Sequence, residues 1–497
     1  MAQSKRLTGG RTDMEEQVKR QDAECMFAAC KCFWKDAQAK ERINEMFEQE
    51  YRDFTKKVMV LDDDPTGIQT VHDIDVYTDW TKESLKQGFS SPERMFFVLT
   101  NSRSFSAQKT EAVHREIAEN AVAAAEEVGT DFMLISRGDS TLRGHYPLET
   151  ETLRHTLTEL TGKQFDGEVL CPFFKEGGRF TVDGVHYVKE KSELVPAAMT
   201  EFAKDKTFGY SHSVLANYIV EKSGGRVTPD QVATVTIEEL RGLKLDEIEE
   251  RLYQRKGFCW IAADAVEEAD VKAFAIVLMR LMKRGKEYLI RSAAAVPKVF
   301  GNVSDRPLLS RQELIGEETS YGGMVLVGSH VRKTTSQLEC LKQSNCPMEW
   351  IEFHVQEWQN EGGLEREAEK TTKLAEEAMA AGKTAVVYTS RTLVAPQGAS
   401  AEEMLAISVR ISDAVTSVVT RLQKKPRFLI AKGGITSSDV GTRGLSVKKA
   451  RVLGQVQPGI PVWKTGPESH FPGMSYIIFP GNVGEETTLR TIVETLA

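Results

Sequence analysis

The sequence predicts an α/β protein made of two doubly wound parallel-sheet domains with a helical N-terminal extension. Short runs rich in Val, Ile, Leu and Phe, the pattern of strands buried on both faces, alternate with longer amphipathic stretches of helical period. These runs end in clusters of Asp, Arg, Ser and Gly, where an open α/β sheet holds its ligands. The rhythm begins at Val58, fades near 300 and starts again at Gly323, and 497 residues are too many for one core. The expected divisions are an extension over 1–57, a first α/β domain over 58–310 and a second over 311–497.

Residues 11–57 place Met26, Phe27, Phe33, Ile43, Met46 and Phe47 among many charges, as an amphipathic helical segment does. It is expected to cover the first domain or a second subunit, which makes a homodimer a possibility to test. Cys25, Cys30 and Cys32 follow C-x4-C-x-C with no matching His pair, so they read as buried helix thiols rather than zinc ligands.

The run Val58 to Leu61 is the first strand, and it closes on Asp62-Asp63-Asp64-Pro65-Thr66-Gly67. Three adjacent acids repel, so each ionised form needs a cation, a donor or a substrate hydroxyl beside it. A solvated acidic turn is the plain alternative; closure of an apolar strand favours a site. Ile74 to Tyr77 is a short strand, and Met95 to Thr100 a longer one ending in Asn101-Ser102-Arg103. Ala107 to Val128 is an Ala- and Glu-rich helix. The strand Phe132 to Ser136 leads into Arg137-Gly138-Asp139-Ser140-Thr141-Leu142-Arg143-Gly144, and Glu168 to Cys171 leads towards Lys175. Thr181 to Val188 is a hairpin turning on Asp183-Gly184, Ser211 to Glu221 and Val271 to Lys283 are helices, and Phe258 to Ala263 is a strand.

Right-handed crossovers gather these strand-end loops on one rim. That rim holds Asp62, Asp63, Asp64, Arg103, Arg137, Asp139, Ser140, Arg143 and Lys175. Guanidinium forks suit a carboxylate, Asp and Ser suit the hydroxyls of a small polar molecule, and grouped acids suit Mg2+ or a general base. Gly138 and Gly144 read as simple turn residues as readily as parts of the site, and His145 and His186 as structural hydrogen-bond partners.

The second domain repeats the scheme. Gly323 to Val327 is a strand, Gly328-Ser329 a turn, His330 to Leu341 a helix, Trp350 to Val355 a strand and Leu364 to Ala381 a helix. Thr384 to Tyr388 is a strand ending at Thr389-Ser390-Arg391. Ala401 to Leu422 is a helix, and Phe428 to Ala431 a strand that meets Lys432-Gly433-Gly434-Ile435-Thr436-Ser437. Peptide amides at a Gly-rich turn and the helix start behind it form an anion site, with Thr and Ser hydroxyls as added donors. Gly328, Ser329, Ser390, Gly433, Gly434, Thr436 and Ser437 are the candidates for a phosphate-rich ligand, although neither turn matches a P-loop or dinucleotide fingerprint and helix capping explains Thr436 and Ser437 as well. The Gly/Pro-rich stretches around Gly454 and from Phe479 to Gly484 are expected to be loops that close over a nucleotide.

The composition is that of an ordinary globular protein, with 41% hydrophobic and 27% charged residues and a net charge of −8. That balance excludes a general nucleic-acid binder but not a local arginine site for an anion. No apolar run is long enough for a membrane span, and the start lacks a secretory core. Seven scattered cysteines, an odd number, point to free thiols in the cytoplasm.

Taken together, Leu-Asp-Asp-Asp-Pro-Thr-Gly-x-Gln-Thr-Val at 61–71, Thr-Asn-Ser-Arg at 100–103, Ser-Arg-Gly-Asp-Ser-Thr-Leu-Arg-Gly-His at 136–145, Val-Gly-Ser at 327–329 and Lys-Gly-Gly-Ile-Thr-Ser at 432–437 resemble the four-carbon acid sugar kinase family. The resemblance runs in the family's order from about residue 58 to the C-terminus. It implies ATP-dependent phosphorylation of threonate, erythronate or an oxo-tetronate, with the acid on the N-terminal domain and ATP on the C-terminal one. It puts Asp62 to Asp64, Arg103, Asp139, Ser140 and Arg143 on the sugar-acid side, and Ser329, Gly433 and their neighbours on the ATP side. The family commonly carries Lys-Ser-Gly-Gly-Phe-Gly near its end, where this chain has Lys464-Thr465-Gly466-Pro-Glu-Ser-His-Phe-Pro-Gly473; the helical N-terminus is also additional.

The implied reaction has Arg103, Arg137 or Arg143 holding the carboxylate, an Asp of the triplet activating the hydroxyl, and Mg2+ with the second domain's amides neutralising the γ-phosphate. Asp62-x-Asp64-x-Thr66 also fits the nucleophile motif of a haloacid-dehalogenase-type phosphatase, although the later acidic pair is incomplete at Asp139 and Arg143. A non-catalytic sensor of sugar acids is the third reading.

Overall fold

The computed structural model describes residues 18–316, 319–391, 401–481 and 483–497. Residues 11–17 of the expected helical extension and Asn482 of the expected C-terminal loop lie outside them. By internal contact the chain divides into one compact unit of residues 1–63 and 80–303 and another of residues 64–79 and 304–497.

The first unit is built on seven strands: β1 Lys57–Asp62, β2 Met95–Leu99, β3 Phe132–Arg137, β4 Gly167–Cys171, β5 Val232–Val235, β6 Cys259–Ala263 and β7 Tyr288–Ser292. Their order is β5-β6-β4-β7-β3-β1-β2, and every pairing is parallel. Helices cover strands such as Val58–Leu61 and Met95–Leu99, which are fully apolar and buried, because a parallel sheet must hide both faces. The chain goes from β1 to β2 on one side and then back to β3 on the other. The sheet order therefore reverses between β1 and β3, the place where doubly wound folds open a crevice at the strands' carboxyl ends. The β5 and β7 strands were not among the expected elements.

The N-terminal segment is not one long helix. Gln21–Asp22 pairs antiparallel with Glu193–Pro196, which extends the hairpin Arg179–Val182 and Val185–Glu190 into a small four-stranded sheet. The hairpin turns on Asp183 and Gly184, at φ of 52° and 75°, as the sequence predicts. Helix Ala23–Lys31 follows, then helix Ala39–Asp53, whose Ile43 and Phe47 are buried while Glu50 bonds Arg280 and Lys283 of the helix Glu268–Lys283. Of the two expected surfaces, it covers its own first unit. Fully buried Arg241 holds Asp270 through two bonds of 2.8 and 2.9 Å and donates to the Cys30 carbonyl at 2.8 Å. Cys30 is buried and Cys25 and Cys32 are exposed; all seven cysteines are free.

The second unit has β8 Met324–Val327, β9 Met348–Phe353, β10 Thr384–Thr389, β11 Leu429–Lys432, β12 Lys449–Gln457, β13 Ile460–Thr465 and β14 Ser475–Phe479. The order β12-β13-β14-β11-β8-β10-β9 is parallel from β14 onward. It becomes antiparallel at β12 and β13, and Ile74–Tyr77 adds an antiparallel strand to β12. That pairing explains why residues 64–79, expected in the first domain, belong to the second unit; the division after Val303 likewise precedes the expected boundary at 310. It also corrects the expected loop around Gly454. Residues 449–457 alternate half-buried and buried, the period of a strand, and Gly454 is a bulge at φ 133° with Arg306 and Leu309 against it. Gly459, at φ 78°, makes the hairpin turn. Here the order reverses between β8 and β11, since β9 and β10 lie on one side of β8 and β11 on the other.

Candidate functional site

At the switch point of the first unit, Asp62 ends β1 directly beside Arg137 at the end of β3. Both are buried, and Arg137 Nη1 is 3.0 Å from Asp62 Oδ1 and 3.6 Å from Asp63 Oδ1. Arg103, carried by the turn after β2, grips Asp63 with both arms of its fork, Nε to Oδ2 at 3.1 Å and Nη2 to Oδ1 at 2.6 Å. Burial holds the Asp63 carboxyl above the usual range, against the pull of Arg103, Arg291 and Arg137. The carboxylate is therefore held in place and is a stronger base than a solvated aspartate.

Arg291 is the residue sequence reasoning missed. It occupies β7 next to Ser136 of β3, its Nη2 lies 4.0 Å from Asp63 Oδ2, and its Nη1 donates to Ser136 Oγ at 2.8 Å. Its full partner is Glu149, in the first turn of helix Leu148–Thr161, which also accepts from Ser102 Oγ at 2.6 Å and lies 3.9 Å from His114 Nε2. Burial would raise the Glu149 carboxyl, but Arg291 first and His114 next hold it down. The available signal was the run Tyr-Leu-Ile-Arg-Ser, an apolar run that closes on Arg and Ser as β3 closes on Ser and Arg. Gly138 and Gly144 prove to be points of close approach: a Cβ would fall 2.1 Å and 2.8 Å from Arg291 Nη2.

Asp139 continues the cluster. Arg143 Nε donates to its Oδ2 at 2.7 Å, and Thr141 bonds the same oxygen. Burial opposes ionisation, yet Arg103 and Arg143 keep the Asp139 carboxyl far below its ordinary value. The Ser140 carbonyl accepts from His186 Nε2 at 2.8 Å, and His186, pushed down to about 4 by burial, is a neutral structural link between this turn and the hairpin. His145 likewise bonds the Phe105 carbonyl at 2.9 Å. Lys175 is exposed and its charge bears on Glu267. Asp64 belongs to the second unit, where its Oδ1 accepts from the Thr66 amide at 2.8 Å in a side-chain turn.

At the switch point of the second unit the ends of β8 and β11 meet. A Cβ on Gly328 would lie 2.2 Å from Thr436 Oγ1; one on Gly433, whose φ is 127°, would crowd Thr436 Oγ1 at 3.1 Å and Ser329 Cβ at 3.2 Å. Gly328, Ser329, Gly433 and Thr436 are thus one tight turn pair. The Gly328 and Gly433 amides are already bonded to the Lys432 and Phe479 carbonyls. The donors that remain are those ahead of the first helical bond, Ser437 N to Gly433 O, and Gly434 has nothing within 4 Å of where a Cβ would point. Ser437 Oγ is spent on Gly433 O at 2.7 Å, and Ser390 Oγ on Gln356 at 3.0 Å and the Phe353 carbonyl at 3.2 Å. Arg391 pins the turn through Ser329 O at 2.7 Å. Lys432, also absent from the expected site, is fully buried over the Phe479 ring at 3.6 Å with Nζ on Pro480 O at 3.1 Å. Burial and Lys333 push it down to about 7.

Residues 58–299 match a family model described as a sugar-binding N-terminal domain, and residues 324–489 one described as a nucleotide-binding C-terminal domain. A Haemophilus influenzae protein classed as DUF1537 is 17% identical with a TM-score of 0.56, over 88% of this chain and 99% of its own. A Salmonella typhimurium LT2 protein, provisionally named as a tRNA synthase, is 17% identical with a TM-score of 0.62, over 89% and 100%. At that identity the likeness speaks for the fold. No curated protein matches the chain in sequence.

Proposed function

Because the chain belongs to the four-carbon acid sugar kinase family, we propose that it moves the γ-phosphoryl group of ATP to a hydroxyl of a four-carbon sugar acid such as threonate, erythronate or an oxo-tetronate. The observation that carries this is the chemistry at the two switch points: guanidinium-held carboxylates in the sugar-binding unit, and a glycine turn pair with open helix-start amides in the nucleotide-binding unit. The first suits a small hydroxy acid and the second a polyphosphate.

Asp63 is the proposed base. It is buried, that burial holds its carboxyl above the usual range, and it is fixed by Arg103, with Arg291 behind it. Asp62, paired with Arg137, orients the same hydroxyl. Ser329, Gly433, Gly434 and Thr436 are proposed to receive the ATP phosphates, with Lys432 beneath them. Mg2+ on those phosphates would lower the charge that the attacking oxygen meets. Among the described residues there is no group of three or more His, Cys, Asp or Glu placed to hold a metal, and Asp62 and Asp63 are turned to arginines, so these residues do not form a ready-made cation cage. The phosphatase alternative loses ground, since Asp64, the second acid of that motif, is taken up in its own turn with the Thr66 amide. Free cysteines suit the proposed cytoplasmic setting.

The deciding experiment incubates the purified chain with ATP, Mg2+ and a panel of tetronates. Acid-dependent ADP formation is expected; ADP at the no-acid background for every tetronate overturns the reading.

A further inference from the structure

Arg103, Arg137, Arg143 and Arg291 each face a carboxylate in the first unit. Arg179 does not. Its guanidinium forms neither a hydrogen bond nor an ion pair with any described residue, and its Nε is buried with no partner. It starts the strand Arg179–Val182, and its charge is felt by Asp139, Arg143, Tyr210 and His186, the groups around the turn that follows β3. The Phe202 ring lies against both cations, 5.1 Å from the Arg143 guanidinium carbon and 5.6 Å from that of Arg179. Gly177 lies close by: a Cβ there would meet the Phe174 ring at 2.4 Å and Arg179 Nη1 at 3.1 Å.

Both carboxylates near this ring are directed at Arg143. Asp139 is already bonded to Arg143 and Thr141, and Asp205, 3.8 Å away, faces Arg143 as well. The half-buried Arg179 guanidinium is bonded to neither of them. A guanidinium that no carboxylate holds keeps its donors for an anion that binds beside it. A planar fork with free donors fits a planar carboxylate through two parallel bonds.

We propose that Arg179 clamps the carboxylate of the substrate, which makes the ligand of the first unit a small hydroxy acid ionised at one end. This rests on the reading of that unit as the sugar-acid site, and it assigns the carboxylate to Arg179 rather than to Arg103 or Arg137, whose forks hold Asp63 and Asp62.

The test titrates the full chain and its Arg179→Gln and Arg179→Lys variants by calorimetry with a tetronate, the neutral tetritol of the same carbon skeleton, inorganic phosphate and a non-hydrolysable ATP analogue. Wild type is expected to prefer the tetronate over both the tetritol and phosphate. Arg179→Gln should weaken tetronate binding about 30-fold or more and abolish the preference over the tetritol, with analogue affinity unchanged. Arg179→Lys, which keeps the charge but loses the fork, should weaken it by about tenfold, and it carries the test if the Gln variant does not fold. Tetronate affinity within about threefold of wild type in the folded variants overturns the proposal, and so does a wild-type protein that binds no tetronate or binds phosphate in preference. Arg179-dependent tetronate binding without any ADP formation overturns the kinase reading and leaves the clamp standing.

Discussion

Replacing Arg291 by Met separates what the buried ion network does for stability from what it does for chemistry. Arg291 and Glu149 are 5% and 1% exposed, so neither can turn to water when the other is lost. In Arg291→Met, Glu149 keeps Ser102 at 2.6 Å but has no full cationic partner, only His114 at 3.9 Å. Removing one side of a buried pair costs about 3–5 kcal/mol. At roughly 2–4 °C per kcal/mol for a unit of this size, the first unit's melting transition should fall by on the order of 10 °C. Adding Glu149→Leu removes the stranded charge as well, so the double variant should regain at least half of the loss. Acid-dependent turnover should not return with it, because Asp63 has still lost one of its three cations. Calorimetric melting and acid-dependent ADP formation measure the two effects. A single variant that melts within about 2 °C of wild type, or a double variant less stable than the single, refutes the network as described.

The remaining predictions concern the two switch points. Asp63→Asn should cut kcat at least about 100-fold while leaving the KM for ATP within about threefold, as loss of a general base does; a kcat near wild type removes Asp63 from the chemistry. Gly433→Ala forces a side chain to φ 127° and into Thr436 and Ser329, so affinity for an ATP analogue should fall at least tenfold with tetronate affinity unchanged. Lys432 is held near 7, below its unfolded value of about 10.4, so the unfolded chain binds more protons between those values. Its burial therefore destabilises most at and below about pH 7, and stability should rise with pH across that window in wild type and lose that slope in Lys432→Met. A phosphate beside Lys432 favours its charged form, so nucleotide binding at pH 8 should take up a proton, read from calorimetry in buffers of different ionisation enthalpy.

Much of the site was legible before any coordinates. Asp62 and Arg137 end apolar strands, Asp139, Gly433 and Thr436 follow such ends within four residues, and the helix Ala107–Val128 and strand Ile74–Tyr77 fall where the residue pattern puts them. Arg291 was hidden because it sits one residue before the end of Tyr288–Ser292, a short run that only its neighbours in the sheet mark as a strand of the site. The hairpin around Gly454 was misread because glycine marks a bulge inside a strand as readily as a loop. Lys432 looked like the flank of a turn; only packing against Phe479 shows that it is buried.

Local order of residues was enough for the α/β rhythm, the polar strand ends and the family resemblance, since each is a property of neighbours along the chain. Which loops meet is a property of strand order, and strand order is set by non-local packing. The reversals between β1 and β3 and between β8 and β11 bring together residues dozens of positions apart. The first brings Arg103 and Arg137 onto aspartates, the antiparallel pairing of Ile74–Tyr77 with β12 carries residues 64–79 into the second unit, and the small hairpin sheet leaves the Arg179 guanidinium without a carboxylate partner among the described residues.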